Sequence, residues 1–177
     1  WEDLSARYTA ELANGFGNLA SRTVAMVARY FDSEIPQAHE YEPADMQVQQ
    51  VAAQAVSGAE AAMDRVAIHE AIASTWKLVD ELNNYITIQE PWVLAKSEDS
   101  RKRLGTVLYT SIEGLRVLTV LLAPVMPKAC EKLWAAIGGS LGELDGQSVT
   151  EAGVWGKLIA GSKISELEAL FPRVEEK

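Results

Sequence analysis

The sequence SRKRLGTVLYTSIEGLRVLTVLL, residues 100–122, decides the fold class. Its apolar residues recur every three or four positions, which is the spacing of a buried helix face rather than the alternation of a strand. The positions that define this face are Leu104, Val107, Leu108, Ser111, Leu115, Leu118 and Leu122. Pro124 follows the pattern and ends it, because proline lacks the backbone donor that a helix interior needs. The stretch therefore predicts one long helix.

Three further helical patterns precede this stretch and a shorter one follows it. They cover residues 3–31, 44–65, 66–89 and 127–137. Pro36 and Pro43 separate the first two patterns, and Pro91 closes the third, since the residue before a proline avoids helical dihedral angles. No window alternates for long enough to predict a sheet. The predicted fold is all-α: a bundle of about five helices over residues 1–137, with a partly irregular C-terminal tail over residues 138–177.

The tail has a weaker pattern than the bundle. Four glycines between residues 138 and 146 indicate loops, and short helices are expected near residues 147–158 and 165–170. Several large apolar side chains would be exposed if the tail stood alone. They are Trp155, Leu167, Leu170 and Phe171. We therefore expect the tail to pack back on the bundle or on a further domain.

Composition excludes several classes of protein. The 177 residues are 48% hydrophobic and 23% charged, which is typical of a folded globular chain and not of a disordered one. The single Cys130 rules out an internal disulfide. No signal peptide is visible, so the expected location is the cytoplasm, and the initial Trp1 suggests a piece of a longer protein. A net charge of -9 argues against broad binding to a phosphate backbone, so any contact with RNA must be local.

The sequence offers no evident catalytic site. It lacks a phosphate-binding P-loop, a GxGxxG segment after a strand, HExxH and GxSxG. His39 and His69 have no candidate nucleophile beside them, and Cys130 is expected to be a buried, inert thiol. The acidic residues scattered through the helices are expected to be solvated charges. They include Asp45, Asp64, Asp80 and Glu81.

The first helical pattern carries a distinctive polar face. Asn14, Asn18 and Arg22 are spaced by four residues, so they stack along one side of the helix. Gly15 and Gly17 each cost about 1 kcal/mol in a helix, which indicates close approach by a neighbouring helix or a ligand. Amide and guanidinium groups can read the edges of unpaired bases. The alternative is a solvated polar face with close-packed glycines.

A second feature is the segment QEPWVLAK, residues 89–96. Trp92 directly follows Pro91, which ends the third helix, so the indole is held on a stiff turn. There it can offer a stacking platform for a base, an interaction that needs little net positive charge. Alternatively, Trp92 closes the end of the bundle as an apolar plug. Trp76 and Trp134 lie on periodic apolar faces and are expected in the core.

Taken together, four segments resemble the anticodon-binding domain of the methionyl-tRNA synthetase family. They are NGFGNLASRT (14–23), NNYITIQEPWVLAK (83–96), LLAPVMPKACEKLW (121–134) and LFPRVE (170–175). They occur in order over nearly the whole chain. The resemblance implies a class I enzyme that activates methionine with ATP and esterifies it to its tRNA. The family's HIGH and KMSKS motifs are not in this sequence, so the chain is expected to bind RNA while a separate domain carries out the chemistry.

The resemblance also implies roles for individual residues. Asn18 and Arg22 correspond to the family's contacts with anticodon bases, and Asn14, one turn upstream, corresponds more weakly. Trp92 corresponds to the residue that stacks on the splayed anticodon loop, with Pro91 shaping the wall beside it. The implied partners are the tRNA(Met) anticodon loop with sequence CAU and the catalytic domain of the same polypeptide. No cofactor is implied for this chain. ATP with Mg²⁺, and a zinc-bearing insertion, belong to the catalytic domain.

Two rival interpretations remain at this point. The helical anticodon domains of the valine, leucine, isoleucine and cysteine enzymes share the architecture, and the NLASR and PWVLAK segments separate them from the methionine family. A helical scaffold that binds only protein is the alternative from a different class. The family's dimerising C-terminal extension is not seen after Phe171, so the expected state is a monomer.

Overall fold

The computed structural model describes residues 8–171, which form helices joined by turns and loops. The helices are a π-helical segment, Tyr8–Gly17, and α1 (Asn18–Phe31), α2 (Pro43–Met63), α3 (Ile68–Gln89), α4 (Pro91–Leu94), α5 (Arg101–Leu122), α6 (Pro127–Ile137) and α7 (Val149–Ala152), with two short 3-10 helices at Glu98–Ser100 and Leu144–Gly146. Within residues 8–171 no strand forms, and a single isolated bridge pairs Glu34 with Lys163. The predicted all-α class is confirmed, and α1, α2, α3, α5 and α6 are its long helices.

Helix α5 is the centre of the bundle. Every residue from Leu104 to Leu122 is buried, because α2 and α3 pack on one side of it and α1, α6 and the tail cover the rest. Its buried hydroxyl groups are largely satisfied within the helix. Ser111 donates to the carbonyl of Val107 at 2.8 Å, and Thr119 donates to that of Leu115 at 2.7 Å. Such bonds let small polar residues enter a core without an unpaired donor.

The stretch Glu98–Leu122 is long and apolar enough to cross a membrane by length and composition. Its most apolar window is completely buried inside the protein. A core helix of this length passes the same test, so the finding does not indicate a membrane span.

The first helix differs from its prediction. A single helix over residues 3–31 was expected, but residues 8–17 form a π-helix that continues into α1; residues 1–7 lie outside the described part. Gly15 and Gly17 lower the stability of an α-helix there, and contacts with other parts of the fold stabilise the segment instead. A side-chain carbon at Gly17 would lie 2.9 Å from the Phe171 ring, and the Asn83 amide donates to the Gly15 carbonyl at 3.4 Å. Close approach is therefore confirmed at Gly17, where the approaching group belongs to the tail, and stays a prediction at Gly15.

The tail covers one side of the bundle from residue 138 to residue 171. The Ile35 amide donates to the Ser162 carbonyl at 2.9 Å, and the Ile164 amide donates to the Ser33 carbonyl at 2.8 Å. The Phe171 ring lies against Phe16, with their centroids 6.3 Å apart. These contacts connect the tail to the loop after α1 and to the end of the π-helical segment.

The helices predicted in the tail are wrong in extent. Only Val149–Ala152 is helical where residues 147–158 were expected, and residues 165–170 are irregular. For residues 147–158 the reason is a buried acceptor on α5. Glu113 accepts hydrogen bonds from the amides of Gly156, Lys157 and Leu158 at 2.9, 3.0 and 3.2 Å. Those amides therefore point at a carboxylate instead of continuing a helix.

Arg116 completes this buried arrangement. Its guanidinium contacts Glu113 at 2.8 Å and donates to the carbonyls of Ala152 and Val154 at 2.9 Å each. Neither charged side chain is more than 1% exposed. We call Glu113, Arg116 and the backbone from Ala152 to Leu158 the tail clamp, because the two charges hold that backbone against α5.

Candidate nucleic-acid interface

The predicted polar face of the first helix is open to solvent. Asn18 is the first residue of α1 and is exposed, as is Asn14 one turn before it. Arg22, one turn further on, is half-buried. The opposite sector of the same helix is buried in the core, as its spacing predicts. Its members Phe16, Leu19, Thr23 and Val27 are each at most 1% exposed.

The structure brings Trp92 to this face. The guanidinium carbon of Arg22 lies 5.7 Å from the centre of the Trp92 ring, within the range of a cation–π contact. The Trp92 side chain is 36% exposed, so it does not close the bundle as a plug. Arg22 and Trp92 are thus adjacent although they are far apart in the sequence, and Asn18 and Asn14 lie further along the helix that carries Arg22.

The turn before Trp92 fixes its direction. Gln89 ends α3, and Glu90 adopts a left-handed conformation with φ of 44°. Pro91, which is buried, then begins α4 and has a φ limited by its ring. The chain therefore reverses sharply, and the indole on α4 is carried by a backbone with few free torsions.

Exposed charges of both signs lie near this turn, where Glu90, Glu98 and Asp99 accompany three basic residues. Lys96, Arg101 and Lys102 are exposed between α4 and the first turn of α5. The Arg101 guanidinium lies 4.6 Å from the centre of the Phe31 ring. A cation held on an aromatic ring remains available to an anion on its open side, so a phosphate contact at this segment would be local to single side chains.

Asp45 contradicts its prediction. It was expected to be a solvated charge, but it is 0% exposed and lies at the start of α2. It accepts two hydrogen bonds from Arg103, at 2.6 and 3.0 Å, one from the Glu42 amide at 2.7 Å, and one from the Tyr85 hydroxyl. Burial opposes ionisation of Asp45, but the bonds from Arg103 and Tyr85 outweigh burial and hold the pKa of the carboxyl below its usual range.

Sequence reasoning also missed Asn83. Its amide donates to Gly15 in the π-helical segment, and to the carbonyl of Val79 at 3.0 Å in its own helix. It therefore ties α3 to the backbone that carries Asn14 and Asn18. The available signal was an asparagine inside a long apolar pattern, where such a residue has poor helix propensity and usually needs a partner.

The remaining candidate groups show no arrangement for catalysis. Cys130 is buried, and burial raises the pKa of its thiol to about 12, so the predicted inert cysteine is confirmed. His39 and His69 are exposed. Over residues 8–171 no three His, Cys, Asp or Glu side chains cluster as metal ligands. Trp134 lies in the core as predicted, while Trp76 is only half-buried.

A helical bundle with an exposed amide, a half-buried guanidinium and an exposed indole near one another is the arrangement expected of a protein that reads unpaired bases. A family model described as the anticodon-binding domain of tRNA ligase matches residues 45–175. The chain therefore belongs to the anticodon-binding domain family of the tRNA ligases.

Individual relatives are methionine enzymes. The chain is 44% identical over 182 residues to the methionine–tRNA ligase of Streptomyces coelicolor, covering 100% of this chain and 34% of that protein. It is 38% identical over 174 residues to that of Caldanaerobacter subterraneus, covering 98% and 27%. The chain thus spans about a third or less of the relatives it matches.

Solved structures agree with these relatives. The crystal structure of free Mycobacterium tuberculosis methionyl-tRNA synthetase matches with a TM-score of 0.90 and 31% identity, covering 99% of this chain and 35% of that one. The same enzyme in complex with methionyl-adenylate matches with a TM-score of 0.89 and 32% identity, covering 97% and 33%. The resemblance to the methionyl-tRNA synthetase family is confirmed.

Proposed function

We propose that this chain recognises the CAU anticodon of the methionine tRNA, as the anticodon-binding part of a methionine–tRNA ligase. The observation that carries the proposal is the contact between Arg22 and the half-open ring of Trp92, on the same side of the bundle as the exposed Asn18. Because the relatives are methionine–tRNA ligases, they support the methionine tRNA as the partner rather than the tRNA for valine, leucine, isoleucine or cysteine.

The recognition follows from the chemistry of three side chains. A base unstacked from the anticodon loop stacks on the indole of Trp92. The Asn18 amide donates and accepts hydrogen bonds at base edges, and the Arg22 guanidinium donates them. Pro91 holds the wall beside the indole, and Asn14 extends the polar face by one turn. A wrong base leaves these groups unpaired at about 1–3 kcal/mol each, so selectivity is a difference between two affinities.

In the longer enzyme, recognition of the tRNA and catalysis would lie in separate domains. A catalytic domain in the same polypeptide, working in the cytoplasm, would use ATP to activate methionine and transfer it to the tRNA. The support is that the relatives are about three times as long as this chain, or longer. This chain would supply only recognition.

Arg22→Ala tests the selectivity directly. We expect it to reduce the preference for a CAU stem-loop over stem-loops with one changed anticodon base by about tenfold, because a lost base-edge contact penalises the correct base most. The measurement is fluorescence anisotropy titration of the intact chain at fixed salt. Arg29→Ala is the matched control, since Arg29 is an exposed arginine on the same helix that lies over Tyr30 instead of Trp92.

Two outcomes decide the role of Arg22. A loss of preference confined to Arg22→Ala supports base reading. Equal losses of affinity for every stem-loop would make Arg22 a phosphate contact only and would contradict its assignment to a base.

A further inference from the structure

Arg103 connects the buried charge of Asp45 to the end of α3. It lies in the first turn of α5, and its side chain is 17% exposed. One nitrogen of its guanidinium donates to the Gln89 side-chain oxygen at 2.7 Å while also bonding to Asp45. Because Gln89 is the last residue of α3, this bond ties together the two ends of the segment that carries Trp92.

Asp45 makes this connection rigid. It is completely buried and joins Tyr85 on α3 to Arg103 on α5, while itself lying on α2. Tyr85 precedes Gln89 by one helical turn, so the last turn of α3 is held at two places. A bidentate pair between arginine and carboxylate fixes the guanidinium plane as well as its position.

The fixed position of Gln89 is passed on to the indole. Only Glu90 and Pro91 separate Gln89 from Trp92. The Glu90 amide bonds to Ile86 at 3.1 Å, and the Ala95 amide bonds to Pro91 at 2.9 Å, so hydrogen bonds hold both sides of the turn. A change in the direction of the α3 end therefore moves Trp92 instead of being absorbed by the loop.

We propose that Arg103 is a positioning residue for Trp92: held by Asp45, it fixes the end of α3 through Gln89 and sets the direction in which the indole meets a base. This inference rests on the proposed function of Trp92. Pre-organisation of this kind strengthens binding because the side chain need not be ordered when the ligand arrives.

Gln89→Leu is the test variant, because it removes the acceptor for Arg103 but leaves the buried pair of Asp45 and Arg103 in place. We expect it to weaken binding of a CAU stem-loop by about threefold, the cost of ordering one loosened side chain. In a Trp92→Ala background the same change should have no effect. Arg103→Lys should weaken binding at least as much as Gln89→Leu, since one ammonium cannot keep the bidentate pair with Asp45 and also reach Gln89. Gln54→Leu, at an exposed glutamine in α2, is the control and should leave affinity unchanged.

An NMR measurement gives a readout without RNA. In the ¹⁵N-labelled chain, the indole signal of Trp92 is assigned by its loss in Trp92→Phe. We expect Gln89→Leu to shift or broaden that signal and to leave the indole signal of Trp134 unchanged, because Trp134 donates to Gly142 in the tail.

The outcomes separate this inference from the proposed function. If Gln89→Leu weakened binding equally with and without Trp92, the Gln89 side chain or its partner Arg103 would contact RNA directly. That result would overturn the positioning role of Arg103. The positioning role would also be overturned if Gln89→Leu changed neither the affinity nor the indole signal of Trp92, although Trp92→Ala still lowered the affinity. A Trp92→Ala variant that binds as well as the native chain would instead overturn the proposed function, and the inference with it.

Discussion

Replacing Glu113 with glutamine is expected to lower the free energy of unfolding by about 3 kcal/mol or more. Glu113 is 0% exposed, and both of its oxygens accept hydrogen bonds from backbone amides of the tail. Glutamine places an NH₂ group against one of those donors in either orientation. It also leaves Arg116 as a buried charge without its partner, which typically costs about 3–5 kcal/mol.

The measurement is urea unfolding at neutral pH, followed by circular dichroism. Glu70→Gln makes the same chemical change in the exposed ion pair of Glu70 with Arg65, which has a distance of 2.7 Å. That variant should cost less than about 1 kcal/mol, as solvent-exposed pairs do. Equal losses in the two variants would contradict the structural role assigned to the tail clamp.

Trp92→Ala is expected to weaken binding of the methionine anticodon stem-loop by about tenfold or more. Stacking of a base on an aromatic ring is worth about 1–3 kcal/mol, and alanine removes the whole platform. The fold should survive the change, because Trp92 is 36% exposed and lies outside the core. The measurement is a titration of the intact chain with labelled stem-loop.

Trp92→Phe provides the matched comparison. It keeps an aromatic face for stacking and a ring for Arg22 to contact, so it should bind within about threefold of the native chain. Affinity that is unchanged by alanine would remove Trp92 from the RNA site. Affinity lost equally with phenylalanine and alanine would show that the ring does not act by stacking.

The long helices could be predicted because their causes are local. In α5, one apolar face repeats every three or four residues up to Leu122, and Pro124 prevents continuation. The polar face of Asn14, Asn18 and Arg22 was visible for the same reason, since the spacing of four residues is a property of one helix. The sequence could not show that α5 is surrounded on every side, because that depends on how the other helices pack.

The residues that support the site were hidden because their partners are distant in the sequence. Asp45 looks like any acidic residue in the first turn of a helix, yet its hydroxyl and guanidinium partners lie 40 and 58 residues further along the chain. The prediction of helices in the tail was wrong for a similar reason. Its amides bond to Glu113, which lies 43 to 45 residues before them, so local propensity could not predict its irregular path.

The most direct test of anticodon recognition is the affinity of the native chain for a CAU stem-loop relative to the same stem-loop with one anticodon base replaced, at constant salt. We predict that a single replacement weakens binding by about tenfold, since a wrong base covers Asn18 and Arg22 but leaves their hydrogen-bonding groups unpaired. Equal affinity for all of these stem-loops would contradict it, because binding would then depend on the RNA backbone alone.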